Sequence, residues 1–369
     1  MLEQWFKLRG KIEGNASWVY SIIGFAITIC VWWILAELFS TTKPILNDFI
    51  SVLPSSIDSV HLVNRDSIIK AEEAQLANAT KFEKVYPLLP RPDRVLFSFK
   101  DLFQKDKLVP NTLHSIWLNI QGYFWAIFLA IPIGLIIGLF PIFNSMFNKQ
   151  IDSLRYLPLS ALTGLFIIWF GLGDPMKIAF LAVGILVYLI PVVVQRIQDL
   201  EEVYPQTAYT MGASKWQLIK NIFLPGIFGK LIDDIRVLTA ISWTYIIIAE
   251  LLNKEAGIGS LIYTKSRQGQ IDKVFALLIV IIIIGLIQDK LFVLFDRMIN
   301  PHKYYKTKES GLAEGRIGVS AMIIAVVFGI LCSYFLKISI MCTIAWLLFA
   351  AGLLALLYSY FLLSKTPNK

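Results

Sequence analysis

The residues that could carry out chemistry are few and widely separated in this sequence. The three histidines are His61, His114 and His302, and none of them lies within a long apolar run. Acid–base catalysis requires titratable groups within hydrogen-bonding reach of the reacting proton, so this distribution argues against an enzyme. The sequence also lacks a Gly-x4-Gly-Lys-Ser/Thr phosphate loop, since Gly229-Lys230 has neither the upstream glycine nor the following hydroxyl. If ATP drives this protein, another subunit must bind it, and we expect no cofactor in this chain.

The cysteines and one carboxylate within the apolar runs are further candidates. Cys30, Cys332 and Cys342 have no metal-ligand spacing, so we expect small buried or lipid-facing residues rather than a disulfide framework or a zinc site. Glu250 lies roughly 22 Å along a predicted span, near its outer end. An ionisable residue there is a functional candidate, although an interfacial carboxylate or a cap is the plainer interpretation. Lys254 is its i, i+4 partner if the helix continues that far.

Two other candidates also have plain alternatives. Asp174 lies in a tight Gly173-Asp174-Pro175 turn, where aspartate is favoured for local hydrogen bonding alone. Trp243 and Tyr245 could line a path or face lipid, and the sequence leaves both interpretations open.

The composition indicates the kind of fold that must hold these candidate residues in place. Of 369 residues, 56% are hydrophobic and 16% are charged, whereas a soluble domain carries roughly 25% charged residues. The mean hydropathy is +0.65, and the apolar residues form long runs that can each cross a bilayer. This pattern excludes an ordinary soluble enzyme and a disordered chain, and it predicts a polytopic helical membrane protein. The net charge of +8 then reports basic cytoplasmic loops rather than nucleic-acid binding.

Hydropathy predicts eight spans in an all-α fold. They are Trp18–Phe39, Ile116–Phe140, Leu159–Leu172, Ile178–Val194, Ile235–Leu252, Val274–Gln288 with an extension to Met298, Ile317–Leu336 and Ile338–Leu363. Lysine and arginine flanks before the first span and between the fourth and fifth place both termini in the cytoplasm. One loop departs from the rule, because residues 253–273 carry four basic residues and must lie outside.

The spans divide the chain into four parts. Residues 1–40 form an N-terminal anchor helix, and residues 41–112 form an extracytoplasmic loop with short helices. Within that loop we expect a polar helix over Ile68–Glu83. A second helix is expected after Pro90 and Pro92, with an apolar stripe formed by Val95, Leu96, Phe99, Leu102 and Phe103. Residues 113–304 form the core, including a cytoplasmic loop over 198–230, and residues 305–369 form a C-terminal transmembrane hairpin.

The cytoplasmic loop has the most specific pattern. An amphipathic stripe formed by Ala208, Gly212, Trp216, Ile219 and Phe223 is interrupted by a glycine and closed by Pro225. Gly212 would cost roughly 1 kcal/mol inside a continuous helix, so we expect two short helices lying against a surface. The glycine then marks either a simple turn or the close approach of a docked partner.

These residues resemble the "EAA" loop of ABC-importer permeases. Gly212, Ile222, Leu224 and Pro225 match its spacing and Ala208 is kept, while Gln206 and Thr207 replace its Glu-Ala. The resemblance extends from about Leu89 to Tyr304. This segment is similar to the nitrate/sulfonate/taurine/bicarbonate branch of these permeases. The other matching motifs are Leu89-Pro90-Arg91-Pro92, Trp169-Phe170-Gly171-Leu172-Gly173, Ala249-Glu250-Leu251, Gly257-Ile258-Gly259 and Asp272-Lys273-Val274-Phe275-Ala276.

The resemblance implies a MetI-like permease core with an additional C-terminal helical pair. The chain would then be the transmembrane permease subunit of an importer for a small anion such as nitrate, sulfonate, taurine or bicarbonate. Its implied partners are cytoplasmic ATP-binding subunits, a second permease subunit in a homodimer, an extracytoplasmic substrate-binding protein and the lipid of a bacterial inner membrane. A secondary transporter, or a membrane scaffold or assembly subunit, remains the alternative.

The resemblance also implies two groups of site residues. Those expected to contact the ATPase are Gln206, Thr207, Ala208, Met211, Gly212, Ala213, Lys215, Trp216, Leu224 and Pro225. Those expected at the pathway or its gate are Trp169, Gly171, Gly173, Asp174, Trp243, Glu250, Gly257 and Gly259.

Overall fold

The computed structural model of the chain describes residues 15–44, 82–252, 255–304, 311–333 and 339–365. Two compact units are distinguished. The first comprises residues 1–106 with 264–276, and the second comprises residues 107–263 with 277–369.

Almost every described element is a helix. The helices are α1 Asn15–Leu38, α2 Pro92–Gln104, α3 Leu108–Leu139, α4 Pro141–Leu154, α5 Thr163–Phe170, α6 Asp174–Gln198, α7 Val203–Thr210, α8 Lys215–Leu218, α9 Leu224–Leu252, α10 Ile258–Arg267, α11 Ile271–Ile299, α12 Pro301–Tyr304, α13 Leu312–Leu331 and α14 Ser339–Lys365. Two short strands, β1 Thr41–Pro44 and β2 Phe82–Val85, pair antiparallel. The expected polar helix over Ile68–Glu83 is wrong at its last two residues, which belong to β2, and the rest of it lies outside the described residues.

Seven helices in the described part of the chain are long and apolar enough to cross a membrane. Their spanning segments are Trp18–Leu38, Leu108–Leu139, Asp174–Gln198, Lys215–Leu252, Ile271–Ile299, Leu312–Leu331 and Thr343–Leu363. The polytopic helical fold and the C-terminal pair are therefore confirmed. Pro132 lies inside α3 and does not interrupt it, so this helix is not broken as in a secondary transporter.

The third predicted span is wrong as a single helix. Leu159–Leu162 form a 3₁₀ turn and α5 has only eight residues, or roughly 12 Å against a hydrocarbon core of about 30 Å. Together with Pro141–Leu154, this segment forms a pair bent by 90°. A break at Pro158 and a glycine end at Gly171, with φ of 75°, explain why the apolar run does not continue as one helix.

The first unit packs α1 against the strands and α2. Pro92 lies in the first turn of α2, as the sequence predicts, because proline is preorganised for that position. Val95 and Leu102 are fully buried, whereas Leu96 and Phe103 are exposed, so α2 has the two faces expected of an interfacial helix. A hydrogen bond connects α1 to the segment just before α2, since the Trp32 indole Nε1 donates to the Pro90 carbonyl at 2.9 Å.

A carboxylate in the first unit partly offsets the charge of the basic loop that departed from the positive-inside pattern. Asp106 pairs with Lys265 at 2.5 Å and with Lys273 at 2.8 Å. Burial favours a higher pKa for the Asp106 carboxyl, but hydrogen bonds and attraction from the two lysines outweigh it and lower the pKa. The single negative charge of Asp106 offsets one of the two lysine charges, so the net positive charge near this loop is reduced but not removed.

The second unit is built on α3, α6 and α9. A Cβ at Gly134 of α3 would come 2.6 Å from the side chain of Val193 in α6, so this glycine allows the two helices to approach closely. Met176, Phe180 and Ala249 belong to a buried cluster that joins α6 to α9.

The C-terminal pair in the second unit packs through glycines. A Cβ at Gly318 of α13 would lie 2.8 Å from the carbonyl of Gly352 in α14, and the reverse distance is also 2.8 Å. Such close approach is how helices associate in lipid. Cys332, just after α13, is disulfide-bonded, so the expectation for this cysteine is wrong. A disulfide depends on which segments the fold brings together, and spacing along the chain does not give that.

Candidate functional site

The loop between α6 and α9, residues 199–223, contains the predicted pair of short helices. Helix α7 ends at Thr210, and Gly212 follows with a left-handed φ of 81°. Its amide donates to the Tyr209 carbonyl at 3.0 Å, and the Ala213 amide donates to the Ala208 carbonyl at 3.0 Å. Glycine is favoured here because a left-handed residue that ends a helix costs least without a Cβ. The turn interpretation of Gly212 is therefore confirmed, and a role in docking is compatible with it.

A capping box starts the second short helix. The Gln217 amide donates to Ser214 Oγ at 3.3 Å, and the Ser214 amide donates to Gln217 Oε1 at 2.7 Å. Helix α8 then continues through a π-helical turn, Ile219–Phe223, into α9. The expectation that Pro225 closes this stretch is wrong. Pro225 is the second residue of α9 and follows the π-helical turn directly within one continuous helix. A proline inside a helix removes one backbone hydrogen bond, and a local departure from α-helical geometry accommodates that loss.

The surface of this loop is unusually apolar. Met211 is 83% exposed and Trp216 is 68% exposed, and Tyr209 is exposed as well. Next to them is a hollow of about 370 Å³, lined by Ala208, Met211, Gly212, Ala213, Gln217, Asn221 and Ile222. A Cβ at Gly212 would meet nothing within 4 Å. The loop therefore presents a preformed concave surface with exposed anchors.

Ion pairs fix the ends of the spans that enter and leave the loop. Arg196 of α6 binds Asp234 of α9 with two hydrogen bonds of 2.7 Å, which is the bidentate geometry of a strong pair. Arg236 of α9 pairs with Asp289 of α11, so a second ion pair joins two of the spans. The Arg196 pair was missed from sequence, and its only signal was two opposite charges flanking the same loop.

Glu250 is fully buried in the second unit, at 0% exposure. Ser115 Oγ of α3 donates to its Oε1 at 2.6 Å, and the Gly259 amide donates to its Oε2 at 2.8 Å. Of the two plainer interpretations, the cap fits this geometry, because the carboxylate accepts from an amide in the first turn of α10 and is buried rather than solvated at an interface. Its expected partner Lys254 lies outside the described residues, and Lys177 is near enough to act on the carboxylate electrostatically.

The glycines after α9 wrap around this carboxyl group. Gly257 has φ of 115°, and a Cβ there would overlap the Glu250 carboxyl. Its amide donates to Asn111 Oδ1 at 2.9 Å, and the Ile258 amide donates to Ser115 Oγ at 2.9 Å. We call Asn111, Ser115, Glu250 and the loop 257–259 the Glu250 cluster. It joins α3, α9 and α10 through hydrogen bonds that leave each group satisfied.

A row of polar residues along α3 was missed by sequence reasoning. Asn111, Ser115 and Asn119 follow one another at intervals of four along one face of the helix. The Asn119 amide donates to Ser242 Oγ of α9 at 3.1 Å, and both side chains are buried. This spacing within an apolar span was the available signal, because polar side chains in lipid hydrogen-bond across helices.

The other predicted gate residues, Asp174, Trp243, Trp169, Gly171 and Gly173, lie outside the Glu250 cluster. Asp174 Oδ1 accepts from the buried Lys177 at 3.1 Å and lies 3.3 Å from His114 Nε2, so it binds more than its own turn. Trp243 is buried, and its indole donates to Gln288 Oε1 at 2.9 Å. Trp169 is exposed, and Gly171 and Gly173 form the turn before α6. Among the described residues no cluster of three metal-binding side chains was found.

Comparison with known proteins identifies the class. Residues 130–301 match the family of binding-protein-dependent transport system inner membrane components. A putative ABC transporter permease protein of Methanocaldococcus jannaschii is 28% identical over 55% of this chain and 78% of that protein. A putative aliphatic sulfonates transport permease protein of Bacillus subtilis is 26% identical, over 57% and 76%. The taurine transport system permease protein of Escherichia coli is 26% identical, over 53% and 74%.

Solved structures of the methionine ABC transporter MetNI in inward-facing conformations are also similar. One of them has 15% identity and a TM-score of 0.48, and the match covers 52% of this chain and 96% of that chain.

The spans and the matched domain define a multi-pass membrane transport protein of the permease class. More particularly, the matched domain and the relatives named as sulfonate and taurine permeases support an ABC-importer permease of that type. The proteins of that family are permease subunits and not enzymes themselves, and the family implies ATPase partners and a substrate-binding protein. The C-terminal pair lies outside the matched residues.

Proposed function

We propose that this chain forms the path for a small sulfonate-like anion and couples that path to a separate ATPase through α7, Gly212 and α8. The observation that carries the proposal is the exposed, preformed loop surface between two spans that ion pairs hold together. Large apolar side chains such as Met211 and Trp216 are the kind that anchor protein interfaces. A cleft in a cytoplasmic ATPase subunit is the partner that membership in this family implies.

The connections of the loop to α6 and α9 are stiff enough to transmit movement from the loop to both spans. The bidentate pair of Arg196 with Asp234 ties α6 to α9, and α8 passes into α9 without a break in the helix. A displacement of α7 and α8 by an ATPase would therefore move the cytoplasmic ends of both spans together. Stiff, packed connections of this kind are what rigid-body switching requires.

The Glu250 cluster is proposed as the outer closure of the path, together with the turn that contains Trp169, Gly171, Gly173 and Asp174. A bare carboxylate facing the path would repel an anion, and Glu250 instead hydrogen-bonds Ser115 and Gly259. Glu250→Gln keeps one accepting oxygen, so we expect normal assembly with ATP hydrolysis uncoupled from uptake. Normal uptake per ATP hydrolysed in reconstituted vesicles would return Glu250 to a purely structural role.

The proposed orientation places both termini in the cytoplasm of a bacterial cell, with the chain in the inner membrane as a homodimer. The basic flanks of the spans support it. The disulfide at Cys332 supports it as well, because this orientation puts the C-terminal end of α13 on the outer side, where disulfides persist.

The solute class rests on the relatives and can be tested directly. Two of them are named for aliphatic sulfonates and taurine, and a formylaminopyrimidine permease of Halalkalibacterium halodurans is 25% identical. The purified permease, reconstituted with its ATPase and binding protein, should take up an alkanesulfonate or taurine only when ATP is present. Uptake without ATP would favour a secondary transporter. ATP-driven uptake of the pyrimidine but not of the anions would overturn the solute class and leave the ABC mechanism intact.

A further inference from the structure

The second unit contains a cavity outside the Glu250 cluster and the α6–α9 loop. It has a volume of about 90 Å³ and lies between α3 and the C-terminal pair. Its lining consists of Trp117, Ile120, Ala325, Val326, Gly329, Ser333, Ala345, Trp346 and Phe349. Small residues on α13 and α14 form the hollow, and the indole rings of Trp117 and Trp346, 5.8 Å apart, border it.

The walls of the cavity are closely fitted. A Cβ at Gly329 would lie 2.8 Å from the ring of Trp117, so only glycine lets that indole approach α13. Trp346 also packs edge-on against Phe349, with ring centroids 6.2 Å apart. The hollow is therefore a shaped feature of the contact between α3 and the pair.

The chemistry of the lining selects the occupant. The lining side chains are hydrocarbon and aromatic carbon except for the Ser333 hydroxyl and the two indole N–H groups, so most of the surface that an occupant would touch is apolar. An empty space would forfeit dispersion contacts with the rings. Apolar cavities of ~150 Å³ bind small hydrocarbons. Helices α3, α13 and α14 all contribute membrane-spanning segments, so the medium around the cavity is lipid hydrocarbon.

We propose that this cavity binds a terminal segment of one acyl chain of a membrane phospholipid, which packs against the paired rings of Trp117 and Trp346. The bound chain fills the contact between α3 and the C-terminal pair. The proposal does not depend on the solute or on the ATPase. It concerns α13 and α14, which lie outside the residues that match the permease family.

A photoreactive lipid can map the site in the native chain. The purified permease is placed in vesicles of phosphatidylethanolamine that contain a diazirine near the end of one acyl chain. After illumination, mass spectrometry should find adducts enriched at Trp117, Trp346 or Phe349 relative to Ile324, which is exposed on α13. Equal labelling of the cavity and Ile324 would overturn the proposal. Absence of labelling in the cavity together with cross-links between two copies would overturn it in favour of a protein occupant.

Two neighbouring positions on α14 provide a matched pair of variants. Ala345 is buried in the lining, and Ile344 is 43% exposed. Ala345→Phe fills the cavity and should lower labelling of Trp117 by roughly tenfold, the loss expected when about two methylene groups are displaced. Ile344→Phe should leave labelling unchanged. If Ala345→Phe does not fold, Ala325→Val makes the same test with a smaller side chain. Undiminished labelling in a folded, cavity-filled variant would contradict the proposal.

Discussion

The Glu250 cluster and the α6–α9 loop differ in where their side chains find partners. In the cluster, the carboxylate, a hydroxyl, an amide side chain and three backbone amides bind one another, and Glu250 and Ser115 are fully buried. In the loop, the helix ends are capped internally, yet the large side chains Met211 and Trp216 remain exposed. A region whose partners are all within the chain reports on the fold. A region with a fixed backbone and exposed anchors indicates a partner outside the chain.

The largest expected effect is a break in the Glu250 cluster by Gly257→Ala. The new Cβ would overlap the Glu250 carboxyl and would also occupy a left-handed φ, so we expect a loss of more than about 3 kcal/mol, on the scale of breaking a buried polar network. The yield of folded protein and its melting temperature measure this. Gly269→Ala is the matched control, since Gly269 has φ of 70° and no atom within 4 Å of the added Cβ. Equal losses in the two variants would mean that the cluster contributes nothing beyond backbone strain.

The next effect concerns the loop and should leave the fold intact. Gly212→Trp projects a ring into the open surface beside the hollow, so ATPase co-purification should fall by roughly tenfold or more. Gly212→Asn is the control, because asparagine tolerates the left-handed conformation and adds little bulk. Co-purification and melting temperature separate the two causes. A full complex with Gly212→Trp would remove this glycine from the interface.

Asp106 offers a smaller effect that depends on pH. Asp106→Asn leaves Lys265 and Lys273 without their shared carboxylate and should cost about 2 kcal/mol near neutral pH. Because the folded pKa of Asp106 lies below its unfolded value of ~3.9, this stabilisation is present above that value and is lost as the pH falls through the folded pKa. Melting curves of both proteins should therefore converge in acid. A difference that stays constant down to strongly acidic pH would show that the carboxylate charge is not the cause.

The smallest expected effect tests the ion pair that connects α6 to α9 beside the loop. Arg196→Gln and Asp234→Asn each remove the bidentate pair, and the double variant should cost less than the sum of the two by about 1 kcal/mol. ATP hydrolysis stimulated by substrate should weaken alike in all three variants. Strict additivity would show that the pair is not coupled, and α6 would then move independently of α9.

The sequence predicted what depends on local pattern. Seven of the eight spans, the Pro92 start of α2, the turn at Gly212 and the C-terminal pair follow from hydropathy, proline and glycine, and the structure confirms them. It did not predict that the apolar run 159–172 is a short helical segment bent by 90° from Pro141–Leu154, or that Pro225 lies within a continuing helix. Both outcomes depend on how neighbouring helices pack, and the apolar pattern is the same either way.

The sequence identified residues of the candidate site but not their partners, because the partners depend on how the helices pack. Glu250, Gly257 and Gly259 were identified as candidates, but their enclosure by Ser115 and Asn111 was not. Those partners lie more than a hundred residues away along the chain, and only the packing of α3 against α9 brings them together. Lys177 was missed because it sits at the edge of a predicted span, where a lysine is ordinarily assigned to the interface.

The central claim is that the loop surface is covered by an ATPase while the Glu250 cluster needs no partner. Its most direct test uses Met211→Cys in a Cys30→Ser background, with alkylation by a membrane-impermeant reagent measured on the permease alone and in the assembled complex. The introduced thiol should react readily in the free permease and should be protected once the ATPase subunit is added. The binding protein alone, which acts from the other face, should give no protection. Equal reactivity with and without the ATPase would contradict the account.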